Sequence, residues 1–573
     1  MPNPSAKLAP PLAADTLLTS SPKETVQRTM ALSCSLPQGN KPSCSGAVFL
    51  GVFFDGTGNN LIADEPKHQQ SNVVRLWRAH SDSAEDKGSS NSYYRKQYIP
   101  GVGTPFPEIG EVESKGWISG WIARKLATLG SAGALGGEAR IYWGLIQTIN
   151  VMHRYVRKQP LITDKKAGEM CQSASLKTAG MNKLEEQVRE LTLVMERNKP
   201  TVTMLTISVF GFSRGAAKAR AFCNAFYKLC EADGKNYKFA GVPVRINFLG
   251  LFDTVASSGV IGADIIVPTG HQGWADSSLR IPPAIEKCVH YVASHEVRGC
   301  FPSDTVRYRG QYPSNCTETV YPGSHSDVGG GYPPGSQGRS RLPSDNKQYD
   351  FLALIPCIHM YKEAYLAGVP FKEFSKMTDE EKRNFTPSAE TLAAYNAYIA
   401  ADTASGSTEE ILLQRMNHYR FYRYRKLDTF VDDAIRSGSP QKDAEFLKLT
   451  NGHFKEQCEN FKRKYANAAK LAEHDKKTGE DKRLSNSHAG IKNTTTKHVP
   501  TMQAHLDKSF IKEDLELWEA MHRVGETPPA VAYLLDKYVH DSMAGFAQDD
   551  VDEYALNGRG YMRRRDVFDK GGE

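Results

Sequence analysis

The chain lacks any apolar run able to cross a bilayer. Its most apolar stretch, residues 117–137, is broken by Arg124 and Lys125 and diluted by Gly and Ala, whereas a spanning helix needs about 20 predominantly apolar residues. The start, MPNPSAKLAPPLAADTLLTSSPKETV, holds no apolar core of a signal peptide. Its Pro and Ser content predicts a loose tail over residues 1–45, and synthesis in the cytoplasm without a leader is expected. The 10 cysteines are scattered, with no CxxC pair and no zinc-ligand spacing, so neither a disulfide framework nor a metal site is expected, and no cofactor motif stands out. Excess charge of one sign is scarce: 72 Lys and Arg against 65 Asp and Glu leave +7 over 573 residues, which excludes a typical nucleic-acid binder. Most of that excess sits in residues 453–500, where 11 basic side chains face 6 acidic ones. Such a segment reads as a solvated helix and loop, with attraction to anionic phospholipid headgroups as the functional alternative.

What is present is the composition of a soluble globular protein, 40% hydrophobic and 24% charged, which excludes both disorder and a polytopic membrane fold. The length allows about three to five domains, or one large decorated catalytic domain. Residues 47–54 (AVFLGVFF), 201–210 (TVTMLTISVF) and 244–252 (VRINFLGLF) are apolar runs of strand length. Helical periodicity marks residues 141–157 and 183–195, and 216–229 is helical in composition. Fully apolar strands alternating with helices predict an α/β fold, a mostly parallel sheet covered on both faces, with ligands at the carboxyl ends of its strands. Beyond about residue 350 the pattern turns helical. Residues 371–500 are charged and strand-poor, and 401–409 and 484–500 have the Ser, Thr, Gly and Asn content of loops.

Gly211-Phe212-Ser213-Arg214-Gly215 is a G-x-S-x-G between an apolar strand and a small-residue helix. In that context the serine is a candidate nucleophile on a sharp turn, with Gly211 and Gly215 permitting the close packing and the Arg214 amide available to a developing oxyanion. A serine hydroxyl needs a histidine to take its proton and an acid to orient that histidine. Asp253 ends the third apolar run and is the candidate acid; its bland alternative is a helix cap. Among 16 histidines, His325 is favoured as base because it lies in a glycine-rich loop, Tyr321 to Tyr332, with Asp327 beside it. His540, next to Asp541, is the runner-up, while His290 and His295 read as core or surface residues. Asp55 closes the first strand, and the amides of Gly56 and Thr57 are candidates for the second oxyanion donor, against an Asx-turn as the plain alternative. FFDGT also resembles the haloacid-dehalogenase phosphatases, but the position of their nucleophile is Phe53 here, so that reading fails.

Five motifs in one order, FFDGTGNN, SNVVRLW, GFSRGAAKAR, GLFDTVAS and YPGSHSDVGGGY, resemble the α/β-hydrolase-like domain of the first family of type VI secretion lipase effectors. The resemblance spans residues 47–335. It implies an antibacterial phospholipase A that hydrolyses acyl esters of membrane glycerophospholipids through a Ser-Asp-His triad, here Ser213, Asp253 and His325. It also implies a secretion spike protein or adaptor, a cognate immunity protein, and action in the periplasm of a target cell. The expected organisation is a tail at 1–45, a catalytic α/β-hydrolase-like domain at 46–370 with helical insertions, and a helical region at 371–573 as a candidate membrane- or partner-docking module. A serine esterase or thioesterase on a soluble substrate, or a binding protein on the same fold, are the alternatives.

Overall fold

The three apolar runs expected as strands lie side by side in one sheet. The computed structural model describes residues 6–34, 45–84, 92–111, 131–256, 279–341, 349–478, 502–509, 511–545 and 560–569. Most of the apolar stretch 117–137, and all of 484–500, fall outside them. In chain order the strands are β1 (Lys7–Leu8), β2 (Ser45–Phe54), β3 (Ser92–Ile99), β4 (Thr201–Phe212), β5 (Glu231–Asp233), β6 (Asn236–Phe239), β7 (Val242–Phe252), β8 (Cys288–Ala293), β9 (Ser303–Asp304), β10 (Cys316–Tyr321) and β11 (Val567–Phe568). The main sheet runs β1-β10-β8-β7-β4-β2-β3. Every pairing along that path is parallel, and only the β5–β6 and β6–β7 pairs, at the side, are antiparallel.

Alternation along the central strands divides the core in two. Val52 and Phe54 of β2 and Val209 of β4 pack with Ile146 of the helix Ser131–Arg157, Leu184 of the helix Thr178–Arg197 and Phe222 of the helix Arg214–Lys228. On the opposite face, Phe53, Phe210 and Phe248 join Met360 of the helix Leu354–Leu366. That second cluster continues through Tyr395, Tyr419, Phe454 and Trp518, so the boundary expected at residue 370 falls inside one continuous apolar core. Helices Ala389–Ala401, Thr408–Arg425, Gln441–Thr478, Lys512–Arg523 and Pro529–Lys537 build the C-terminal part.

Two features depart from the sequence reading. Strand β3 is the next strand after β2, reached through the helix Asn72–Ala79, although SYYRKQYI shows no apolar run, because it is a half-exposed edge strand. The expected loose tail is instead docked over residues 6–34: β1 pairs with β10, Tyr395 donates its hydroxyl to Pro10 O at 2.7 Å, and the Asn396 side chain bonds both N–H and C=O of Leu12 at 2.9 Å. A Pro-rich segment can use such partners because its own backbone is not engaged in a helix.

No helix of the described residues is long and apolar enough to cross a membrane. From β2 the chain passes outward to β3 and then returns to β4 on the other side of β2. The carboxyl ends of β2 and β4 therefore flank a reversal of strand order, where open α/β sheets form their ligand crevice.

Candidate active site

Ser213 stands at the reversal, between β4 and the helix Arg214–Lys228, with φ 58° and ψ −128°. That left-handed backbone is costly for a residue with a Cβ, about 1–3 kcal/mol, and it needs neighbours that leave room. A Cβ at Gly211 would lie 2.6 Å from Ala216 Cα, and one at Gly215 would lie 2.3 Å from Phe54 O. Both flanking glycines are thus demanded by contact with backbone. The turn is tied to β7, since Ser213 N donates to Phe252 O at 2.9 Å.

Asp253 follows β7 and is fully buried. His325 opens the short helix His325–Gly329 after β10, and its Nδ1 donates to Asp253 Oδ2 at 2.6 Å. The imidazole is held between rings, 4.6 Å from Phe212 and 5.0 Å from Phe301. Burial drives the His325 pKa below the ordinary value, against the opposing pull of Asp253, which favours the neutral ring. With Nδ1–H committed to the carboxylate, Nε2 carries the lone pair. Ser213 Oγ makes no hydrogen bond to His325 in this structure, although the ring packs on the residue before it.

Sequence reasoning missed Arg565. Its guanidinium, with a side chain only 2% exposed, donates from Nη1 to Asp253 Oδ1 at 2.9 Å and from Nη2 to Oδ2 at 2.8 Å. Ala293 N donates to Oδ1 at 2.9 Å, so four donors fill the acceptor positions of one carboxylate. Burial alone would raise the Asp253 pKa; the Arg565 charge and the His325 hydrogen bond hold it well below the carboxylate range. Arg565 belongs to an Arg563-Arg564-Arg565 run that carries no local signal of a partner more than 300 positions upstream.

Beside the elbow, Asp55 is buried and accepts from Tyr98 Oη at 2.6 Å and Gly56 N at 2.8 Å. Burial raises its pKa to about 6. The Gly56 amide, expected as an oxyanion donor, is therefore already spent on Asp55, because a buried carboxylate recruits the nearest N–H. Thr57 N has no partner among the described residues. A Cβ on Gly56 would lie 2.7 Å from the Phe212 ring, which places this loop over the carboxyl end of β4. The Arg214 amide opens the helix on the other side.

His540 does not approach Asp253. Its Nδ1 donates to Asp327 Oδ1 at 2.6 Å, and its ring stacks on Tyr332 at 3.8 Å. Asp327 Oδ2 also accepts from the backbone N of both Ser324 and His540, at 2.9 and 3.0 Å. Asp327 thus clasps the His325 loop to the segment after the helix Pro529–Lys537. His290 and His295 are buried braces: His290 donates to Glu318 and accepts from Thr254 N at 3.1 Å, and His295 Nδ1 accepts from Gly323 N at 2.9 Å. A cavity of about 360 Å³ opens between the loops that follow β2 and β10 and the C-terminal helices, lined by Thr57, Asn59, Arg298, Ser326, Tyr332 and Lys442 among others.

The chain is similar to the crystal structure of an uncharacterized protein from Pseudomonas aeruginosa, with a TM-score of 0.70 and 27% identity over 99% of this chain and 85% of that one. A structure of the Tle1 effector bound to the VgrG spike of the type 6 secretion system matches with a TM-score of 0.27 and 22% identity, over 52% of this chain and 53% of that one. No curated protein matches. The family model for the catalytic domain of Tle1-like phospholipase effectors of the type VI secretion system covers residues 50–230 and 230–363, more than half of the chain, and the chain therefore belongs to that family.

Proposed function

We propose that this protein is a serine phospholipase A, with Ser213 as nucleophile, His325 as general base and acid, and Asp253 as the group that orients His325. The observation that carries the reading is the 2.6 Å bond from His325 Nδ1 to a buried, ionised Asp253, with the ring packed against Phe212 of the elbow. In the reaction Ser213 Oγ attacks an acyl ester carbonyl while His325 Nε2 takes its proton; the imidazolium then protonates the leaving glycerol oxygen, and a water releases the acyl chain by the same route in reverse. Substrate binding has to bring Ser213 Oγ within hydrogen-bond reach of Nε2, as catalytic contacts often tighten in the complex. The amides of Arg214 and Thr57 are proposed as the oxyanion donors, with Gly56 excluded by its bond to Asp55.

Family membership supports a wider reading: a toxin carried by a secretion spike or adaptor, acting on the membrane of a target cell from its periplasm, and neutralised by a cognate immunity protein. The C-terminal helices are proposed as the docking module, since the helix Gln441–Thr478 carries 9 Lys and Arg against 6 Asp and Glu, +3 of the chain's +7. The test is mass spectrometry of the products formed from vesicles of a phosphatidylethanolamine with two different acyl chains. Wild type is expected to release one fatty acid and its lysophospholipid, and Ser213→Ala neither. Folded wild-type protein that releases no fatty acid, or a Ser213→Ala variant that still does, overturns the proposal.

A further inference from the structure

We infer that Arg565 is a positioning residue for the reaction: its fork sets the Asp253 carboxylate that holds His325, so that segment 560–568 completes the active site. The inference rests on the serine-hydrolase reading above. Its geometry does not. Besides its two bonds to Asp253, Arg565 donates from Nη1 to Ala293 O at 2.8 Å and from Nε to Phe301 O at 2.9 Å. The guanidinium thereby links the end of β8, the loop carrying the Phe301 ring that packs on His325, and the acid itself. A planar fork fixes both carboxylate oxygens at once, which a point charge cannot do.

The segment bearing Arg565 is held on either side of it. Upstream, Arg420 of the helix Thr408–Arg425 donates to Tyr561 O at 2.8 Å and to Arg563 O, and the Tyr561 hydroxyl donates to Asp541. Downstream, β11 pairs in parallel with β9, with Ser303 N donating to Asp566 O at 2.8 Å and Thr305 N to Phe568 O at 3.0 Å. The Arg563 guanidinium lies against Gly299, where a Cβ would overlap it. A surface-tail arginine would need none of these ties. They are what keeps an arginine from the far end of the sequence in register with a carboxylate on the central sheet.

The groups facing His325 are Asp253, Glu296, Arg298 and, through Asp253, Arg565. Arg298 disfavours the imidazolium, and the positive charge of Arg565, one carboxylate away, acts in the same direction by Coulomb's law. Removing Arg565 takes away one positive charge and leaves Asp253 anionic, so His325 should titrate at higher pH.

The experiment compares full-length wild type with Arg565→Ala, Arg565→Lys and Arg420→Lys, reading kcat and KM on phospholipid vesicles, the acid limb of the pH profile, and the titration of His325 by NMR of 15N-histidine-labelled protein. In Arg565→Ala, kcat is expected to fall about 100-fold, the scale of a misplaced catalytic group, with KM little changed and with the acid limb and the His325 titration both moved to higher pH. Added guanidinium at non-denaturing concentration should restore part of kcat. Arg565→Lys should keep the titration near wild type, because the charge remains, but lose about tenfold in kcat, because the fork does not. Arg420→Lys, which loosens the same segment without touching Asp253, should leave the titration in place. An unmoved His325 titration in folded Arg565→Ala overturns the inference. If that variant does not fold, wild-type kcat in Arg565→Lys overturns it instead. Wild type that cleaves no ester would overturn the hydrolase reading alone, because the NMR titration decides the Arg565 relation without turnover.

Discussion

Ser213 and Asp253 follow paired residues of adjacent parallel strands, Phe212 and Phe252, and both have a left-handed backbone, with φ of 58° and 38°. Each strand ends by turning its next side chain away from the course of the sheet, and the Ser213 N to Phe252 O bond couples the two turns. Strain at neighbouring residues of one site persists only where the surroundings over-determine it. Here the elbow glycines and the four donors on Asp253 do so.

The strain at Ser213 is separable from its chemistry. Ser213→Ala keeps a Cβ and should change stability little, whereas Ser213→Gly relaxes the left-handed backbone and should raise stability by about 1 kcal/mol. Both variants are expected to lose several orders of magnitude in ester hydrolysis. Denaturant melts beside lipid turnover check this; a glycine variant less stable than the alanine variant would remove strain from the account.

The two Asp–His pairs should respond differently. His325→Ala is expected to be nearly as damaging to activity as Ser213→Ala, and combining them should cost little more, because the residues act as a unit. His540→Ala leaves a cavity beside Tyr332 and takes a donor from buried Asp327, a loss of about 2–4 kcal/mol in stability. Its activity per folded molecule should fall far less than that of His325→Ala. Thermal melts and turnover on the same preparations give the ranking, and a reversed order in activity would move the base to His540.

What the sequence showed depended on whether the signal was local. Strands β2, β4 and β7 are legible because both faces of a central parallel strand are apolar, and the elbow because Gly211 and Gly215 flank Ser213 within one turn. The choice of His325 over His540 rested on its glycine-rich loop, and the structure brings His325, not His540, to Asp253. Arg565 was invisible, since an ion pair across 312 positions has no periodicity and no composition. The docking of the N-terminal segment is illegible for a related reason. Pro10 and Leu12 look like tail residues until Tyr395 and Asn396, hundreds of positions later, supply their hydrogen bonds. Gly56 shows a subtler limit, because which way an amide points is decided by the burial of Asp55, not by the motif.

Activity should persist to lower pH than an unperturbed histidine allows. Burial lowers the His325 pKa, so the neutral base remains available as pH falls below about 6.5, the ordinary histidine value. The acid limb of kcat/KM on vesicles is expected below that value. Asp253→Asn removes the carboxylate that raises the His325 pKa and should move the limb lower still, with kcat reduced about 10⁴-fold through the wrong tautomer. It also leaves Arg565 buried without its counter-charge, at about 3–5 kcal/mol in stability. An acid limb at or above the ordinary histidine value in wild type would mean that the Asp253 carboxylate outweighs the burial of the ring.

Asp55 supplies the opposite sign. Its pKa is raised from 3.8 to about 6 by burial, so the folded state holds this proton more tightly than the unfolded chain does. Its contribution to stability is therefore fully present below about pH 3.8, declines as pH rises, and is lost once pH passes about 6. A shift of this size corresponds to about 3 kcal/mol. Asp55→Asn carries no charge at any pH and keeps an acceptor for Tyr98 Oη, so it should be less stable than or equal to wild type near pH 4 and more stable than wild type at pH 7.5. Denaturant unfolding of both proteins from pH 4 to pH 8 measures the difference directly. A difference that does not change across that range would mean that Asp55 is ionised throughout, with the donors around it, Ser71, Tyr98 and Gly56, fully offsetting its burial.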